Sequence, residues 1–442
     1  TEVVQSMVVN SQNQLCIYGS TSSNDFPVTA SAYDTSFAGG INFQATSNGT
    51  FFDNGTDIFV SKFSVDGSQL LASTYMGGTD NDGVNTTPSL TFNYGDFYRG
   101  EINVDGNDNI IIGSCTSSAN FPVTGNASQS TKNNLQDGCI FKMDNNLQNL
   151  MYSSFLGGNQ DDAIYAIAIS GTDVYATGGT LSTDIQTSVD SYHPGFLGGS
   201  ADGFVVKLST LGNTGTRITY VGTADYDQCF FVQLDALGNV YLYGQTNSPV
   251  FPYIGGVYQN ANSGQFILKL DSLLSNAIFS TTFGNGSGSP NISPSAFLVD
   301  DCEHIYISGW GGNILTGVQT NNMPLTSNAF QSTTDGFNFY LAVFEHDMDS
   351  LIYATYFGGG TSHEHVDGGT SRFDKKGIVY QAVCAGCGSN DDFPTTPGAW
   401  SNTNNSSNCN EGVFKFDFEI GIVTADFSAS PNSGCSPLVV NF

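Results

Sequence analysis

Positive charge is scarce in this chain, which has 11 lysines and arginines against 40 aspartates and glutamates and a formal net charge of −29. Such a surface repels polyanions, so we expect no nucleic-acid partner and no attraction to anionic membranes. The sequence has no run of 18 apolar residues, so we expect no transmembrane helix and no direct membrane insertion. A sustained apolar period of 3.6 residues is also missing, which predicts few helices.

Histidine is rare as well, with five residues in 442. A hydrolase needs a nucleophile with a positioned base, or two carboxylates across a cleft. No histidine has a serine or cysteine partner in a recognisable motif, and sequence order does not place carboxylates around a central channel. We therefore predict no catalytic residues and a protein that is not an enzyme.

A short apolar strand occurs six times, at intervals of 62 to 80 residues, and five of the six copies end in lysine. The positions aligned on that lysine are Lys62, Lys142, Lys207, Lys269, Val343 and Lys415. A repeat at this period indicates one supersecondary unit copied many times, each copy unable to bury its apolar face alone. The lysines are expected to pair with nearby acids, and a ring of cations on one face is the alternative.

The third copy shows what each unit contains. Its apolar runs are Ala163–Ser170, Val174–Thr180, Gly203–Ser209 and Arg217–Thr223. Each is rich in β-branched and aromatic residues and is bounded by turn formers, which is typical of strands. Four strands per unit predict an all-β fold, a β-propeller of four-stranded blades. Six repeats are visible, and six to eight blades are expected, with seven favoured.

Three cysteines near the end of the repeats are candidates for a disulfide. Cys384 and Cys387 form a CxxC pair, and Cys409 follows in a polar loop. We expect Cys409 to bond either Cys384 or Cys387, which implies an oxidising compartment. A zinc site that uses nearby histidines remains the alternative.

A dense polar cluster precedes those cysteines and comprises His363, His365, Asp367, Arg372 and Asp374. Two histidines at alternate positions of a strand lie on one face, so they could bind a metal ion with Asp367 as a third ligand. We favour an interblade turn instead, in which Asp367 pairs with Arg372 and the histidines face solvent.

Aromatic residues suggest further contact sites. Trp310 and Trp400 could stack on sugar rings, although filling gaps between blades is the favoured role. The insertions Phe43–Gly55 and Gly83–Gly100 are rich in aromatics and are the expected ligand-contact regions, unless they cap the core. Acidic turns such as Asp105–Asn109 leave calcium open as a cofactor, although a plain strand turn also explains them.

Several motifs resemble a known family. The triplet DFP at Asp25–Pro27 and Asp392–Pro394, DGFVVKL at Asp202–Leu208 and GWGGN at Gly309–Asn313 are similar to bacterial β-propeller repeats, often described as seven-bladed, in large surface proteins of Bacteroidota. In those proteins a polycystic-kidney-disease-type (PKD) domain and a gliding-motility-associated sorting domain follow. The resemblance implies a propeller over residues 1–420, apparently cut at its N-terminus, and a linker with the first strands of a PKD-type domain over 421–442.

The resemblance also implies export by a type IX secretion system and a place outside the cell or on its surface. We therefore expect a non-enzymatic binding or adhesion module whose loops recognise a glycan, a polymer or a protein surface. A structural subunit of a surface layer, filament, or secretion or motility assembly in the envelope is the second hypothesis. A polysaccharide-degrading enzyme is the third.

Overall fold

The computed structural model describes residues 1–133, 135–212, 215–311, 319–420, 423–424 and 433–434. Strands dominate this part of the chain. Its helices are single 3₁₀ turns at Pro88–Leu90, Asp96–Tyr98 and His346–Met348, none with the length or apolarity to cross a membrane. The PKD-type start expected over 421–442 lies outside the described residues, apart from the short strands Val423–Thr424 and Ser433–Gly434.

Six sheets succeed one another along the chain, and we call them blades 1 to 6. Blade 1 and its loop hairpin comprise β1 (Glu2–Val9), β2 (Leu15–Thr21), β3 (Phe43–Gln44), β4 (Phe51–Phe52), β5 (Asp57–Phe63) and β6 (Leu70–Met76). Blade 2 comprises β7 (Glu101–Val104), β8 (Ile110–Thr116), β9 (Asp137–Met143) and β10 (Leu150–Leu156). Blade 3 comprises β11 (Asp162–Ser170), β12 (Asp173–Thr180), β13 (Asp202–Ser209) and β14 (Arg217–Val221).

The second half of the chain repeats the arrangement. Blade 4 comprises β15 (Asp227–Leu234), β16 (Val240–Thr246), β17 (Gln265–Leu270) and β18 (Ala277–Phe283). Blade 5 comprises β19 (Ile292–Val299), β20 (Ile305–Gly311), β21 (Phe339–Phe344) and β22 (Leu351–Phe357). Blade 6 comprises β23 (His363–His365), β24 (Arg372–Phe373), β25 (Val379–Cys387) and β26 (Asn410–Phe416), and the separate pair is β27 (Val423–Thr424) with β28 (Ser433–Gly434).

Each of blades 1 to 5 is an antiparallel four-stranded sheet whose strands follow chain order. The first strands of successive blades contact one another, so they line a common axis. Blade 6 contacts blade 1 in turn. The backbone N–H of Thr370 donates to the Gln5 carbonyl oxygen at 2.8 Å, and Arg372 Nε donates to the Met7 carbonyl oxygen at 2.8 Å. The described residues thus form a six-bladed propeller, and the favoured count of seven is wrong.

The connection between β6 and β7 fills the axis of the ring, and we call residues 84–99 the axial insertion. Most of its side chains are buried. Arg99 Nε lies 2.5 Å from the Asp96 carboxylate, and both side chains are buried. The same guanidinium donates to the Pro294 carbonyl oxygen of blade 5 at 3.0 Å and lies 4.6 Å from the Phe230 ring of blade 4. One arginine thereby joins the insertion to two blades across the axis.

The aromatic insertions are therefore core elements and not ligand contacts. Phe97 and Tyr98 of the axial insertion are buried, and Tyr98 packs on Phe52 of the β3–β4 hairpin. Phe51 is the exception, at 44 % exposure. The expectation that these aromatics face a ligand is wrong, because an open ring axis must be filled with apolar and paired polar groups.

Three of the repeated lysines, Lys62, Lys142 and Lys269, bond acceptors in the next blade. Lys269 of blade 4 lies 2.9 Å from the Glu303 carboxylate and 3.1 Å from that of Asp347, both in blade 5. Lys62 of blade 1 donates to both the carbonyl and the side-chain oxygen of Asn145 in blade 2. In these blades the lysine of the third strand therefore helps to fix the blade to its neighbour, whereas Lys207 pairs with Asp173 of its own blade at 3.4 Å.

Pairs of aspartates are buried where one blade follows the next. Each pair flanks a glycine: Asp57 and Asp82 at Gly77, Asp137 and Asp162 at Gly157, and Asp202 and Asp227 at Gly222. A Cβ at Gly77 would lie 2.7 Å from one carboxylate and 2.8 Å from the other, so a side chain does not fit there. Burial raises the pKa of all six carboxyls, to about 6 for Asp137, about 8 for Asp82 and about 7 for the rest.

Replacing Arg99 with alanine should destabilise the ring strongly. The change leaves the Asp96 carboxylate buried without its partner, which costs about 3–5 kcal/mol of unfolding free energy. Arg217→Ala is the matched control, because Arg217 pairs with the exposed Asp190 at 2.6 Å and such pairs contribute at most about 1 kcal/mol. Urea unfolding of both variants at pH 7 measures the difference, and equal losses would contradict the role given to Arg99.

Stability should fall as the pH rises from 5 to 8. The buried carboxyls bind protons more tightly in the folded protein than in the unfolded chain, where the ordinary pKa is 3.8. Their contribution is therefore complete below about pH 4 and is lost as the pH passes through their folded pKa values. The melting temperature, followed by calorimetry across this range, should decrease steadily.

Asp202→Asn tests at one site whether a buried carboxyl causes the loss of stability with pH, because an amide resembles the protonated carboxyl. The unfolding free energy of the variant should equal that of the parent at pH 5 and exceed it at pH 8. Its decrease with pH should be smaller than that of the parent by up to about 1.4 kcal/mol per pH unit. Asp66→Asn, in an exposed turn, is the control. A stability that rises with pH in the parent would refute the buried-carboxyl explanation.

Candidate functional site

Blade 6 has its first strand in two parts, which divides the polar cluster predicted over His363–Asp374. β23 pairs with one end of β25 and β24 pairs with the other. His365 lies opposite Cys384, whereas Arg372 lies opposite Tyr380. Four residues along a strand correspond to about 13 Å. His363 and His365 therefore lie at one end of β25, and Arg372 lies at the other end.

Arg372 lies at the axis and not beside Asp367. Its Nη1 atom is 3.2 Å from the Glu101 carboxylate of blade 2. Asp374 accepts a hydrogen bond from the backbone N–H of Lys376 at 2.8 Å and closes the turn after β24. The expected ion pair between Asp367 and Arg372 is wrong, because strand register separates residues that are close in sequence.

His365 is the centre of the remaining group and comes from β23. Its ring lies 5.0 Å from the Tyr94 ring of the axial insertion and 5.9 Å from the Trp310 ring of blade 5, measured between centroids. Its Nε2 atom is 3.4 Å from the Asp367 carboxylate, and its Nδ1 atom is 3.6 Å from Cys387 Sγ. Three parts of the fold thus meet at one imidazole.

Asp367 accepts hydrogen bonds from several neighbours while its side chain stays half exposed. The Cys384 thiol donates to it at 3.1 Å, and the Tyr94 hydroxyl bonds it as well. Burial opposes its ionisation, but the bonds from His365 and Cys384 hold its pKa below 3.8. Burial and the Asp367 charge raise the pKa of the Cys384 thiol to about 12. Asp367 is therefore an ionised carboxylate that solvent can reach.

A second carboxylate, Glu411, lies beside this group. It is directly opposite Cys384 on the neighbouring strand β26, so the two side chains share one face of the sheet. Partial burial and the charge of Asp367 raise the pKa of Glu411 above its ordinary 4.5. Sequence reasoning missed Glu411 because it stands 44 positions after Asp367, and only the β25–β26 register could have revealed the pairing.

His363 is exposed and has a different environment from His365. Its ring stacks on Phe337 with centroids 3.6 Å apart and planes 20° apart. Within the described residues, the groups with metal-binding geometry include His365 but not His363. The two-histidine metal pair, which was the less favoured alternative, is therefore not formed, and the stacked rings make a flat aromatic surface next to β23.

A divalent cation could be held by His365, Asp367 and Cys384. One ligand atom from each lies within 4.8 Å of the others. Nitrogen, oxygen and sulfur donors together are typical of zinc sites. The acidic turns considered for calcium have protein partners, as at Asp105, which accepts backbone N–H bonds from Asn107 and Asn109 and pairs with Lys142 at 2.8 Å.

Cys387 and Cys409 form a disulfide that joins the end of β25 to the residue before β26. Cys384 is a free, half-buried thiol. The bond closes the polar loop of residues 388–408 beside the site and holds β26, with Glu411, next to β25. The free thiols elsewhere among the described residues are buried: Cys16, Cys115, Cys139 and Cys229.

The two tryptophans have opposite environments. Trp310 is 2 % exposed and packs against Tyr94, so it cannot stack on a sugar that arrives from solvent. Trp400 is fully exposed at the tip of the loop after β25, which contradicts the favoured gap-filling role for this residue.

No known protein family and no curated protein matches the chain. Solved structures do match its fold. An α-L-arabinanase of Penicillium chrysogenum complexed with arabinobiose is 9 % identical with a TM-score of 0.42, covering 94 % of this chain and 93 % of its own. A mutant NanB sialidase of Streptococcus pneumoniae is 9 % identical with a TM-score of 0.40 and coverages of 94 % and 68 %. An ulvan lyase is 10 % identical with a TM-score of 0.39 and coverages of 85 % and 74 %.

These matches correct the expectation of a non-enzymatic binding or adhesion module. That expectation treated the propeller as a display scaffold, whereas these three matched structures are glycan-active enzymes by name. Identities near 10 % show a shared fold and assign neither a reaction nor a substrate to this chain.

Replacing Cys387 and Cys409 together with serine should lower the unfolding free energy by about 3 kcal/mol, since the bond closes a loop of 22 residues. Guanidinium unfolding of oxidised protein measures the loss. Cys384→Ser is the control and should change the stability by less than about 1 kcal/mol. An unchanged midpoint in the double variant would mean that the bond does not stabilise blade 6.

Proposed function

We propose that the chain is a glycoside hydrolase that acts on a neutral glycan at the exposed face of blade 6. The observation that carries this proposal is that two carboxyls lie on either side of Cys384: its thiol donates to Asp367 at 3.1 Å, and Glu411 lies directly opposite it on β26. The pKa values of the two carboxyls shift in opposite directions. Two carboxyls whose environments separate their protonation states are the usual acid and base of glycosidic bond cleavage.

Each carboxyl has a distinct role in the proposed reaction. Glu411, with its raised pKa, donates a proton to the glycosidic oxygen as the bond to the anomeric carbon breaks. Asp367, held ionised, accepts a proton from the water whose oxygen attacks that carbon. His365 and Tyr94 position Asp367 through their contacts with its carboxylate.

The charge of the chain favours a neutral substrate. At −29, the surface repels polyanions such as uronic-acid polymers. The two arginines nearest to the axis, Arg99 and Arg372, are engaged with Asp96 and Glu101. The Phe337–His363 stack and the Asn-, Ser- and Thr-rich loop of residues 388–408 offer the flat ring and neutral polar groups that sugars bind.

The proposal places the enzyme outside the cytoplasm. The Cys387–Cys409 disulfide supports this, because such bonds persist in oxidising compartments. Surface display after type IX secretion in a Bacteroidota cell, as the motif resemblance implies, is part of the same proposal. Fractionation of a cell that makes the full-length protein, with surface protease treatment, tests that part.

Activity should be measured by the release of reducing ends from a panel of neutral polysaccharides, including arabinan, galactan, xylan and β-glucan. Asp367→Asn and Glu411→Gln should each lower kcat by about 10²–10⁴-fold. Asp374→Asn is the matched control, because this carboxylate lies at the far end of β25. It should leave the rate unchanged within about twofold, and no release from any member of the panel would refute the proposal.

The pH profile gives a second test. Activity requires ionised Asp367 and protonated Glu411, so it should fall on the acid side as Asp367 gains a proton and on the alkaline side as Glu411 loses one. A rate that rises continuously to high pH would contradict the role of Glu411 as the acid.

A further inference from the structure

We propose that His365, Asp367 and Cys384 bind one zinc ion, which occupies the carboxylate at the centre of the candidate site. The proposed hydrolysis uses the imidazole and the carboxylate but gives no part to the thiol. Among the described residues, Cys384 is the free thiol that is not fully buried, so a metal ion can reach it from solvent. Imidazole, carboxylate and thiolate together are a ligand set that selects zinc over calcium and magnesium.

Strand pairing brings the three ligands together. His365 of β23 lies directly opposite Cys384 of β25, so the two side chains project from the same face of the sheet. Asp367 follows His365 by two positions, and each of its carboxylate oxygens faces one of the other groups. Its Oδ1 atom is 3.4 Å from His365 Nε2, and its Oδ2 atom is 3.1 Å from Cys384 Sγ. Two paired strands therefore fix the relative positions of the nitrogen, oxygen and sulfur atoms.

The spacing of these atoms suits a tetrahedral zinc ion. With bonds of about 2.0–2.3 Å, the ligand atoms of such an ion are about 3.3–3.6 Å apart. The two measured separations lie close to this range, and one ligand atom from each of the three residues lies within 4.8 Å of the others. Small side-chain rotations are therefore enough to complete the coordination, and the strands need not move.

Neighbouring groups hold the ligands in place. The Tyr94 hydroxyl bonds the Asp367 carboxylate, and the Tyr94 ring lies 5.0 Å from the His365 ring between centroids. His365 Nδ1 faces Cys387 Sγ at 3.6 Å, so Nε2 is the ring nitrogen directed toward Asp367. Groups that orient the ligands in this way are typical of metal sites.

The disulfide decides which sulfur atoms are available to the metal. His365 also lies within metal-ligand distance of Cys387 and Cys409, but those two sulfurs are bonded to each other. The thiolate is the form of cysteine that binds metals, and a disulfide has none. In the oxidised protein Cys384 is therefore the sulfur ligand, and Asp367 stands where a CxxC zinc site would use its second cysteine.

The charges around the site favour a cation. Within the described part of the chain, no lysine or arginine forms an ion pair with Asp367, whose charged contact is His365. An ionised Asp367, a Cys384 thiolate and a neutral His365 together match the two positive charges of zinc. The net charge of −29 attracts cations over a longer range. The Asp367 side chain is half exposed, so a water molecule can supply the fourth ligand.

The test is zinc binding to the oxidised protein, measured without reductant by competition with a chromogenic chelator. We expect one zinc ion per chain, and excess magnesium or calcium should not displace it, because both prefer oxygen ligands. Cys384→Ser, Asp367→Asn and His365→Gln should each weaken binding by more than about 100-fold, since losing a supporting contact alone costs about 10–100-fold. His363→Gln is the matched control on the same strand and should leave the affinity unchanged.

Cobalt(II) gives a signature that a merely structural role of Cys384 would not produce. The cobalt-loaded parent should show thiolate-to-cobalt charge-transfer absorption, which zinc abolishes by displacing the cobalt. The absorption should persist in His363→Gln and be missing from Cys384→Ser, although both variants unfold at the parent's temperature without metal. Equal zinc affinity of the parent and Cys384→Ser, or no charge-transfer absorption in the loaded parent, would overturn the proposal.

Zinc on Asp367 should also inhibit hydrolysis, a consequence that rests on the proposed function. Asp367 cannot accept a proton from water while it is a zinc ligand, so saturating zinc should suppress the release of reducing ends and a chelator should restore it. A protein that binds zinc through Cys384 but cleaves no polysaccharide would refute the hydrolase and support the zinc site. A protein that cleaves at its full rate with zinc bound would refute Asp367 as a ligand.

Discussion

Six sheets around one axis leave a gap that no blade can fill by itself, and the structure depends on how that gap is closed. The axial insertion closes it with a buried arginine whose charge is matched by Asp96 and whose remaining donor reaches blade 5. A charge in this position is tolerable only when its partner and its hydrogen bonds are all present. The axis is therefore a buried polar centre whose charged and polar groups must all be paired.

The axial insertion also positions the residues of the candidate site. Tyr94 belongs to the axial insertion, Trp310 to blade 5, and His365, Asp367 and Glu411 to blade 6. Because the insertion is held at the axis, its tyrosine presents a fixed hydroxyl to Asp367. The disulfide on the other side holds the strand that bears Glu411. The two carboxylates are thus positioned by packing at a blade junction and not by a flexible loop alone.

The repeat could be read from the sequence because the lysine-ended strand has a local signature that recurs. Six copies of the strand, five of them with the lysine, correspond to six observed blades, and the seven-bladed expectation came from a family resemblance, not from the copies. The axial insertion was misjudged because Phe97 and Tyr98 look the same in sequence whether they face a ligand or a core. The membership of the site was predicted wrongly for a different reason. Strand register decides which residues lie together, and proximity in sequence does not reveal it. Register separates Arg372 from His365 and places Glu411 opposite Cys384.

The reach of the axial insertion has a consequence for how the chain acquires its structure. Its bonds join residues far apart in sequence, with Asn93 and Gln245 separated by 152 positions and Arg99 and Pro294 by 195. Blades can form one at a time from neighbouring strands, but these contacts must wait until the fourth and fifth blades exist. Closing such long loops carries an entropic cost before any contact repays it. Consolidation of the axis is thus a late and slow event, and a chain released before blade 5 is complete leaves the arginine and its carboxylate without the surfaces that bury them.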